Sequence, residues 1–247
     1  MTVYFAHATS FCGSVWDPVI AGLDGVECVA WDFAGHGHGP ELQVPVDWRR
    51  FGCQVLDETE PGGIGVGHSM GAAALTMAQL ADPERFRFLL LIEPIIFPGP
   101  HGRLDHPLSL LAVRRRKTFE SREAALENWS SKGAFAGWDS GALEAYMRCG
   151  LVGDGPVELA CAPDLEADVY RGSNAHDTWD RLGEIEIPVL VLAGEESDTT
   201  PPDFARLQAT QFKSAGLEIV PGSGHFLPME KPAIVADRIR RIVETLG

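Results

Sequence analysis

Short apolar runs alternate with longer amphipathic segments along most of the chain. Six apolar runs bounded by Gly, Pro or Asp predict buried strands, at residues 3–6, 27–31, 64–67, 88–92, 188–193 and 217–220. The segments between and after them show helical spacing and predict helices at residues 14–23, 47–58, 69–81, 202–212 and 233–246. This alternation is typical of an α/β fold, in which a mostly parallel sheet of about six strands is flanked by helices.

The pattern changes between the fourth and fifth predicted strands. Residues 97–182 contain no convincing strand, and the stretches "HPLSLLAVRRRKTF", "REAALENWSSKG" and "SGALEAYMRCGL" are typical of helices separated by Gly and Pro. We therefore expect one core domain formed by residues 1–96 and 183–247, with residues 97–182 inserted as a helical cap.

Charge narrows the range of partners. The 247 residues include 35 acidic and 20 basic side chains, for a net charge of −15, so nucleic acid is an unfavourable partner. The one dense basic run extends from Arg114 to Lys117. It is either a solvated helix face or a local anchor for an anionic group of a substrate.

Cysteine usage and the N-terminal residues predict a cytoplasmic protein. The five cysteines are scattered, without a CxxC pair or metal-type histidine spacing, which favours free thiols and no metal site. The first residues, "MTVYFAHATS", lack the basic and apolar regions of a secretory leader. No apolar run reaches the length of a transmembrane helix, so we expect no transmembrane segment.

The stretch "IGVGHSMGAA" places a serine between glycines at the junction of a strand and a helix. Gly-x-Ser-x-Gly in this context predicts a nucleophile elbow, a tight turn that exposes the Ser69 hydroxyl above the sheet edge. Gly67 and Gly71 allow the backbone to approach where side chains would clash. Ser69 is therefore the candidate nucleophile.

A serine hydroxyl needs a base, and the base needs an orienting acid. His225, in "GSGHFLPMEKP", follows the last predicted strand and is the candidate base. The candidate acid is Asp198, because its strand ends near Gly194 and a Pro-Pro pair then fixes the loop. The nearby Glu195 and Glu196 remain alternatives.

Glu93, at the end of "FLLLIEP", emerges at the same sheet edge. It either anchors a loop or the cap by hydrogen bonds, or supplies or supports the triad acid. Acyl transfer also needs donors for an oxyanion, and the backbone N–H groups of Met70 and Thr9 are the candidates.

The set "HATSF", "GHSMGA", "LAGEESDTTPP" and "GSGHFLPMEKP" resembles the α/β-hydrolase superfamily, in its esterase/lipase-like branch with a helical cap. The resemblance implies a Ser69–Asp198–His225 triad and an oxyanion hole at Thr9 and Met70, with no cofactor and no metal.

The expected activity is a serine hydrolase that cleaves a carboxylic ester of a small, largely hydrophobic substrate through an acyl-enzyme. Lactonase, thioesterase, carbon–carbon bond hydrolase, cofactor-free perhydrolase and acyltransferase remain enzymatic alternatives. A non-catalytic small-molecule binder is the alternative outside enzymes.

Overall fold

The centre of the molecule is a six-stranded parallel sheet. The computed structural model describes residues 1–131, 133 and 135–247, and that part of the chain contains nine strands: β1 (Thr2–Ala6), β2 (Glu27–Ala30), β3 (Gly63–His68), β4 (Phe86–Ile92), β5 (Thr118–Phe119), β6 (Leu151–Val152), β7 (Val157–Leu159), β8 (Val189–Gly194) and β9 (Ala215–Val220). The large sheet has the order β2-β1-β3-β4-β8-β9, and every neighbouring pair is parallel. The predicted α/β fold with about six strands is confirmed.

Helices follow most strands. They are α1 (Asp17–Ile20), α2 (Arg49–Glu58), α3 (Met70–Ala81), α4 (Pro107–Ala112), α5 (Arg122–Ser130), α6 (Ser140–Cys149), α7 (Pro163–Gly172), α8 (Thr178–Arg181), α9 (Pro202–Ala209), α10 (Leu227–Glu230) and α11 (Pro232–Leu246). The helix predicted at residues 14–23 is instead a 3-10 turn, Gly13–Trp16, followed by the short α1. Among the described helices, none combines the length and the apolar character needed to cross a membrane.

The four central strands of the large sheet, β1, β3, β4 and β8, are mostly buried on both faces. Along β1, Val3 and Phe5 pack in one core with Ile239 of α11, while Tyr4 packs in a second core with Leu75 of α3. Because side chains alternate between the faces of a strand and both faces are covered, these strands are nearly continuous apolar runs in the sequence. This explains why the central strands were predictable.

The inserted region is not purely helical. Strands β5, β7 and β6 form a small antiparallel sheet in that order. The expectation of no strand between residues 97 and 182 is therefore wrong. Each of these strands has two or three residues, which is too short for an alternating pattern to emerge. The division into core and cap remains a prediction.

Candidate active site

Ser69 lies in the sharp turn between β3 and α3. Its backbone has φ 56° and ψ −114°, in the positive-φ region that non-glycine residues rarely adopt. A Cβ at Gly71 would lie 2.2 Å from the carbonyl oxygen of Ala6, and one at Gly67 would lie 2.7 Å from the backbone nitrogen of Ala72. Only glycine fits at either position, as the sequence predicts for a nucleophile elbow.

His225 reaches Ser69 from the loop between β9 and α10. Its Nε2 atom is 3.1 Å from Ser69 Oγ, although the two residues are 156 positions apart. The carbonyl oxygen of His225 accepts a hydrogen bond of 2.8 Å from His68 Nε2. The residue that precedes Ser69 therefore holds the loop that carries His225, and the structure brings this predicted pair together.

Glu93, directly after β4, supplies the carboxylate that faces His225. Its Oε2 atom is 2.9 Å from His225 Nδ1, and its side chain is fully buried. Oε1 accepts the backbone N–H of Gly194 at 2.6 Å, and Oε2 also accepts the hydroxyls of Ser197, at 2.6 Å, and Thr200. Because a carboxylate only accepts, His225 carries its hydrogen on Nδ1 and leaves Nε2 to accept from Ser69.

Asp198 does not occupy this position. Its side chain is exposed, and the hydrogen bond described for it is accepted from the neighbouring Thr199 hydroxyl at 3.2 Å. Glu195 and Glu196 are exposed as well. The predicted contact between Asp198 and His225 is therefore wrong.

The physical reason is the direction in which the loop after β8 turns. It leaves the strand at Gly194 and points Ser197 and Thr200 inward onto Glu93, while Asp198 faces solvent. The signal in the sequence was an ionisable residue, Glu93, directly at the end of a strand with a buried apolar run. Such a group is costly to bury unless it is hydrogen bonded.

Thr9 and Met70, the predicted oxyanion donors, lie side by side. The Thr9 hydroxyl contacts the Met70 sulfur at 3.5 Å. Met70 is the first residue of α3, so its N–H has no acceptor within the helix. In the part of the chain that the structure describes, no backbone hydrogen bond is donated by the Thr9 N–H either.

Backbone strain is concentrated at this site. Among the described non-glycine residues, positive φ occurs at Ser10 (70°), Ser69 (56°) and Glu93 (51°). Ser10 follows Thr9, Ser69 lies in the turn between β3 and α3, and Glu93 carries the carboxylate that faces His225. Strained conformations of this kind cost about 1–3 kcal/mol each and cluster at functional sites.

Three buried histidines surround the site without adding charge. Burial, followed by repulsion from His36, lowers the pKa of His7 to about 3, and burial lowers the pKa of His36 to about 4. Burial and then repulsion from His225 lower the pKa of His68 well below its usual value. Phe33 N–H donates to His7 Nε2 at 2.9 Å, which requires this nitrogen to be unprotonated. All three rings are neutral at pH 7.

A cavity of about 380 Å³ lies between the loop after β1 and the inserted region. It adjoins the Ser69–His225 pair through Thr9 and through Phe226, which directly follows His225. Its walls are largely aromatic, formed by Phe11, Phe119, Trp129, Phe135, Tyr146 and Phe226. The position and lining are suited to a substrate with an apolar portion.

The basic run lies on the wall of this cavity. Arg114, Arg115 and Arg116 all line it, together with the buried carboxylate of Glu166. Arg115 Nη1 is 2.5 Å from Glu166 Oε2, and the Arg116 guanidinium lies over the Phe119 ring at 4.9 Å. The run follows α4 in a turn, so it is not a solvated helix face.

Phe11 joins the Thr9 loop to the inserted region. Its ring centroid lies 5.4 Å from Trp138, 5.4 Å from Tyr146 and 5.8 Å from Phe226, each in an edge-on arrangement. These are favourable aromatic geometries. The roof of the cavity and the loop beside Ser69 are thus packed as one unit.

A disulfide makes a second connection at the same place. Cys12 pairs with Cys149 at the end of α6, with Cα atoms 6.2 Å apart, while Cys28, Cys53 and Cys161 are free. The expectation of five free thiols is therefore wrong for this pair. The two cysteines are 137 positions apart, and only the packing of α6 on the loop brings them together. Because the cytoplasmic location was predicted from free thiols, the cysteines no longer support that prediction.

Comparison with known proteins agrees with this architecture. The model of the Alpha/beta hydrolase family matches residues 3–238. Abhydrolase domain-containing protein AKT2 of Alternaria alternata is 27% identical, in a match that covers 73% of this chain and 82% of the relative. Esterase Rv0045c of Mycobacterium tuberculosis is 24% identical, in a match that covers 98% of this chain and 83% of the relative.

Solved structures agree as well. The peroxisomal alpha-beta-hydrolase Lpx1 of Saccharomyces cerevisiae superposes with a TM-score of 0.83 at 17% identity, covering 99% of this chain and 76% of that chain. The structure of Esterase Rv0045c superposes with a TM-score of 0.75 at 20% identity, covering 99% of this chain and 84% of that chain.

Proposed function

Because the chain belongs to the alpha/beta hydrolase family, we propose that it is a serine hydrolase that cleaves a carboxylic ester through an acyl-enzyme. The observation that carries the proposal is the continuous chain of hydrogen bonds from Ser69 Oγ through both nitrogens of His225 to Glu93. This is the arrangement that activates a serine hydroxyl, with a base within reach of the nucleophile and an acid that orients the base.

In this mechanism His225 Nε2 takes the proton of Ser69 as its oxygen attacks the carbonyl carbon of the ester. Glu93 holds the ring in the required tautomer and stabilises the imidazolium that forms. The N–H groups of Met70 and Thr9 bind the oxyanion of the tetrahedral intermediate. His225 then returns the proton to the departing alcohol, and water attacks the acyl-Ser69 ester by the same route.

The aromatic cavity and the similarity to a protein named as an esterase favour an ester as the substrate. The same machinery acts on thioesters and lactones, because all three reactions pass through a tetrahedral oxyanion. A panel of the three substrate types, assayed with the wild type, ranks them by kcat/KM. The highest value with the ester supports the proposal.

The direct test is Ser69→Ala with 4-nitrophenyl acetate as substrate. We expect turnover to fall about 10⁶-fold if the three residues act as a unit. Fluorophosphonate labelling should disappear with it, and rapid quenching of the wild type should yield Ser69 carrying one acetyl group. Ser140→Ala, at the exposed start of α6, is the matched control and should retain both activity and labelling.

Wild-type turnover in Ser69→Ala, or labelling that persists in it, would refute Ser69 as the nucleophile. A wild-type protein that resists the fluorophosphonate and hydrolyses no ester, thioester or lactone would instead support the non-catalytic binder.

A further inference from the structure

The cavity beside Ser69 carries a charge opposite to that of the whole protein. The chain has a net charge of −15, yet the cavity wall holds Arg114, Arg115 and Arg116 against the single carboxylate of Glu166. Concentrated positive charge on a partly enclosed wall attracts anions. Lys117, the last residue of the basic run, points elsewhere and pairs with Glu158 at 3.0 Å on the surface.

Arg115 is held in place for such a role. Its side chain is 30% exposed, and Nη1 is fixed by Glu166, whose side chain is 5% exposed. The Tyr146 hydroxyl also faces the guanidinium. A guanidinium has five N–H donors, and within the described residues the ion pair occupies Nη1 of Arg115. With Glu166 and the Tyr146 hydroxyl as its two partners, the oriented guanidinium has further N–H donors for a carboxylate.

The two neighbouring arginines have donors to spare as well. Arg116 uses Nε for the Thr118 carbonyl oxygen and rests on the Phe119 ring. Arg114 is exposed, and it forms no ion pair with any residue that the structure describes. Both residues are exposed, and an exposed charge contributes less than a held one.

Aromatic side chains separate this basic wall from the reacting groups. Phe11 and Phe226 lie next to the Thr9 and His225 positions, and the Tyr146 ring contacts Phe11 at 5.4 Å while its hydroxyl faces Arg115. A ligand that reaches from Ser69 to Arg115 therefore passes along an apolar wall. The polar contacts of such a ligand are at its two ends.

We propose that the substrate is an anionic ester, with a carboxylate at the end remote from the scissile bond and an apolar segment between them. Arg115 binds the carboxylate, and Arg114 and Arg116 attract it at the cavity wall. The proposal rests on the proposed serine hydrolase function, and it names the substrate class of that same site.

The test compares matched esters that differ only in the remote charge. For a carboxylate on the acyl side, the pair is the 4-nitrophenyl ester of adipic acid and its methyl-blocked analogue. For a carboxylate on the alcohol side, the pair is 4-acetoxybenzoate and its methyl ester. For at least one pair, we expect kcat/KM to be about 10- to 100-fold higher for the charged ester than for the neutral one. This is the effect expected when a hydrogen bond between Arg115 and the remote carboxylate is present in one ester and absent in the other.

Substitutions then locate the effect. The charged-to-neutral ratio is kcat/KM for the charged ester divided by kcat/KM for its neutral partner. Arg115→Met should lower this ratio about 10- to 100-fold. Arg114→Gln and Arg116→Gln should each lower it about 2- to 5-fold, with a weaker effect at high salt. Lys117→Gln removes the same charge from the same run outside the cavity, and should leave the ratio unchanged.

Removing Arg115 alone leaves Glu166 buried without its partner, which can unfold the protein. The double substitution Arg115→Met/Glu166→Gln removes both charges and supplies the folded comparison. A ratio near one for both pairs of esters in the wild type would overturn the proposal, as would a ratio that Arg115→Met/Glu166→Gln leaves intact. In either case, Ser69-dependent hydrolysis of the neutral esters would leave the proposed function standing.

A binding measurement decides the matter without turnover. Calorimetry with Ser69→Ala should show monomethyl adipate binding about 10-fold or more tightly than dimethyl adipate. Adding Arg115→Met/Glu166→Gln should remove the difference. Equal affinity for the two compounds would overturn the proposal, whether or not the wild type hydrolyses any ester.

Discussion

Replacing Glu93 by Gln tests the assignment of the acid most directly. The substitution keeps the shape of the side chain but introduces an NH₂ group, which donates where the carboxylate only accepts. Facing His225 Nδ1 at 2.9 Å, the amide favours the tautomer with hydrogen on Nε2. That tautomer is unable to accept the Ser69 proton across the 3.1 Å contact.

The expected loss of kcat is about 10³- to 10⁴-fold, by analogy with an Asp-to-Asn change in another triad. A 10⁴-fold loss corresponds to about 5.4 kcal/mol of activation free energy, at 1.36 kcal/mol for each factor of ten. The carboxylate also accepts from Gly194, Ser197 and Thr200, so the free energy of unfolding should fall by about 2–4 kcal/mol. Kinetics are therefore measured at a temperature where circular dichroism shows the variant to be folded.

Asp198→Asn is the matched control, because Asp198 is exposed and lies in the neighbouring loop. It should retain activity within about twofold, since exposed charge changes have small effects. A folded Glu93→Gln variant with more than about a tenth of wild-type kcat would refute the reasoning, because the wrong tautomer predicts a much larger loss. A large loss in Asp198→Asn would refute it equally.

Other expectations concern stability and covalent structure. Gly71→Ala places a Cβ 2.2 Å from a backbone oxygen of β1, so urea denaturation should show a loss of about 3 kcal/mol or more. Gly102→Ala, with no atom within 4 Å of its Cβ, should change stability by less than about 0.5 kcal/mol. Thiol titration of unreduced, denatured protein should detect the three free cysteines; detection of all five would disprove the Cys12–Cys149 bond. Burial lowers the pKa of His36 from 6.5 to about 4, so the unfolded state binds the extra proton between these values. The contribution of His36 to the free energy of unfolding is therefore fully present above about pH 6.5, and the free energy of unfolding falls by about 3 kcal/mol as the pH drops towards 4. Urea midpoints across this range should decline less in His36→Gln, and equal declines would contradict this origin.

The fold was predictable because its signals are local. Strands buried on both faces appear as apolar runs, and the helices between them show their own spacing. The turn at Ser69 was predictable for a similar reason, since Gly67 and Gly71 are required by contacts within a few residues or with the adjacent strand. His225 followed from its place between the last strand and the last helices.

The carboxylate that faces His225 was not predictable in the same way. Two sets of carboxylates follow neighbouring strands, with Glu93 after β4 and Asp198 with its neighbours after β8. Both sets emerge at the same edge of the sheet, so the choice depends on which side chain turns inward. That direction is set by Ser197 and Thr200, which hydrogen bond to Glu93 across more than 100 positions. The Cys12–Cys149 bond and the short strands of the insertion likewise depend on distant packing.

The attachment of α6 to the loop after β1 limits how a bulky molecule gains access to Ser69. Phe11 and Cys12 anchor this loop to the same helix, one through ring contacts and the other through a covalent bond. Lifting α6 would therefore displace Thr9, the proposed oxyanion donor, so widening the cavity from that side should lower the rate of hydrolysis. Engineering the protein for larger esters should instead begin at Leu111 of α4, which lines the same cavity and is exposed.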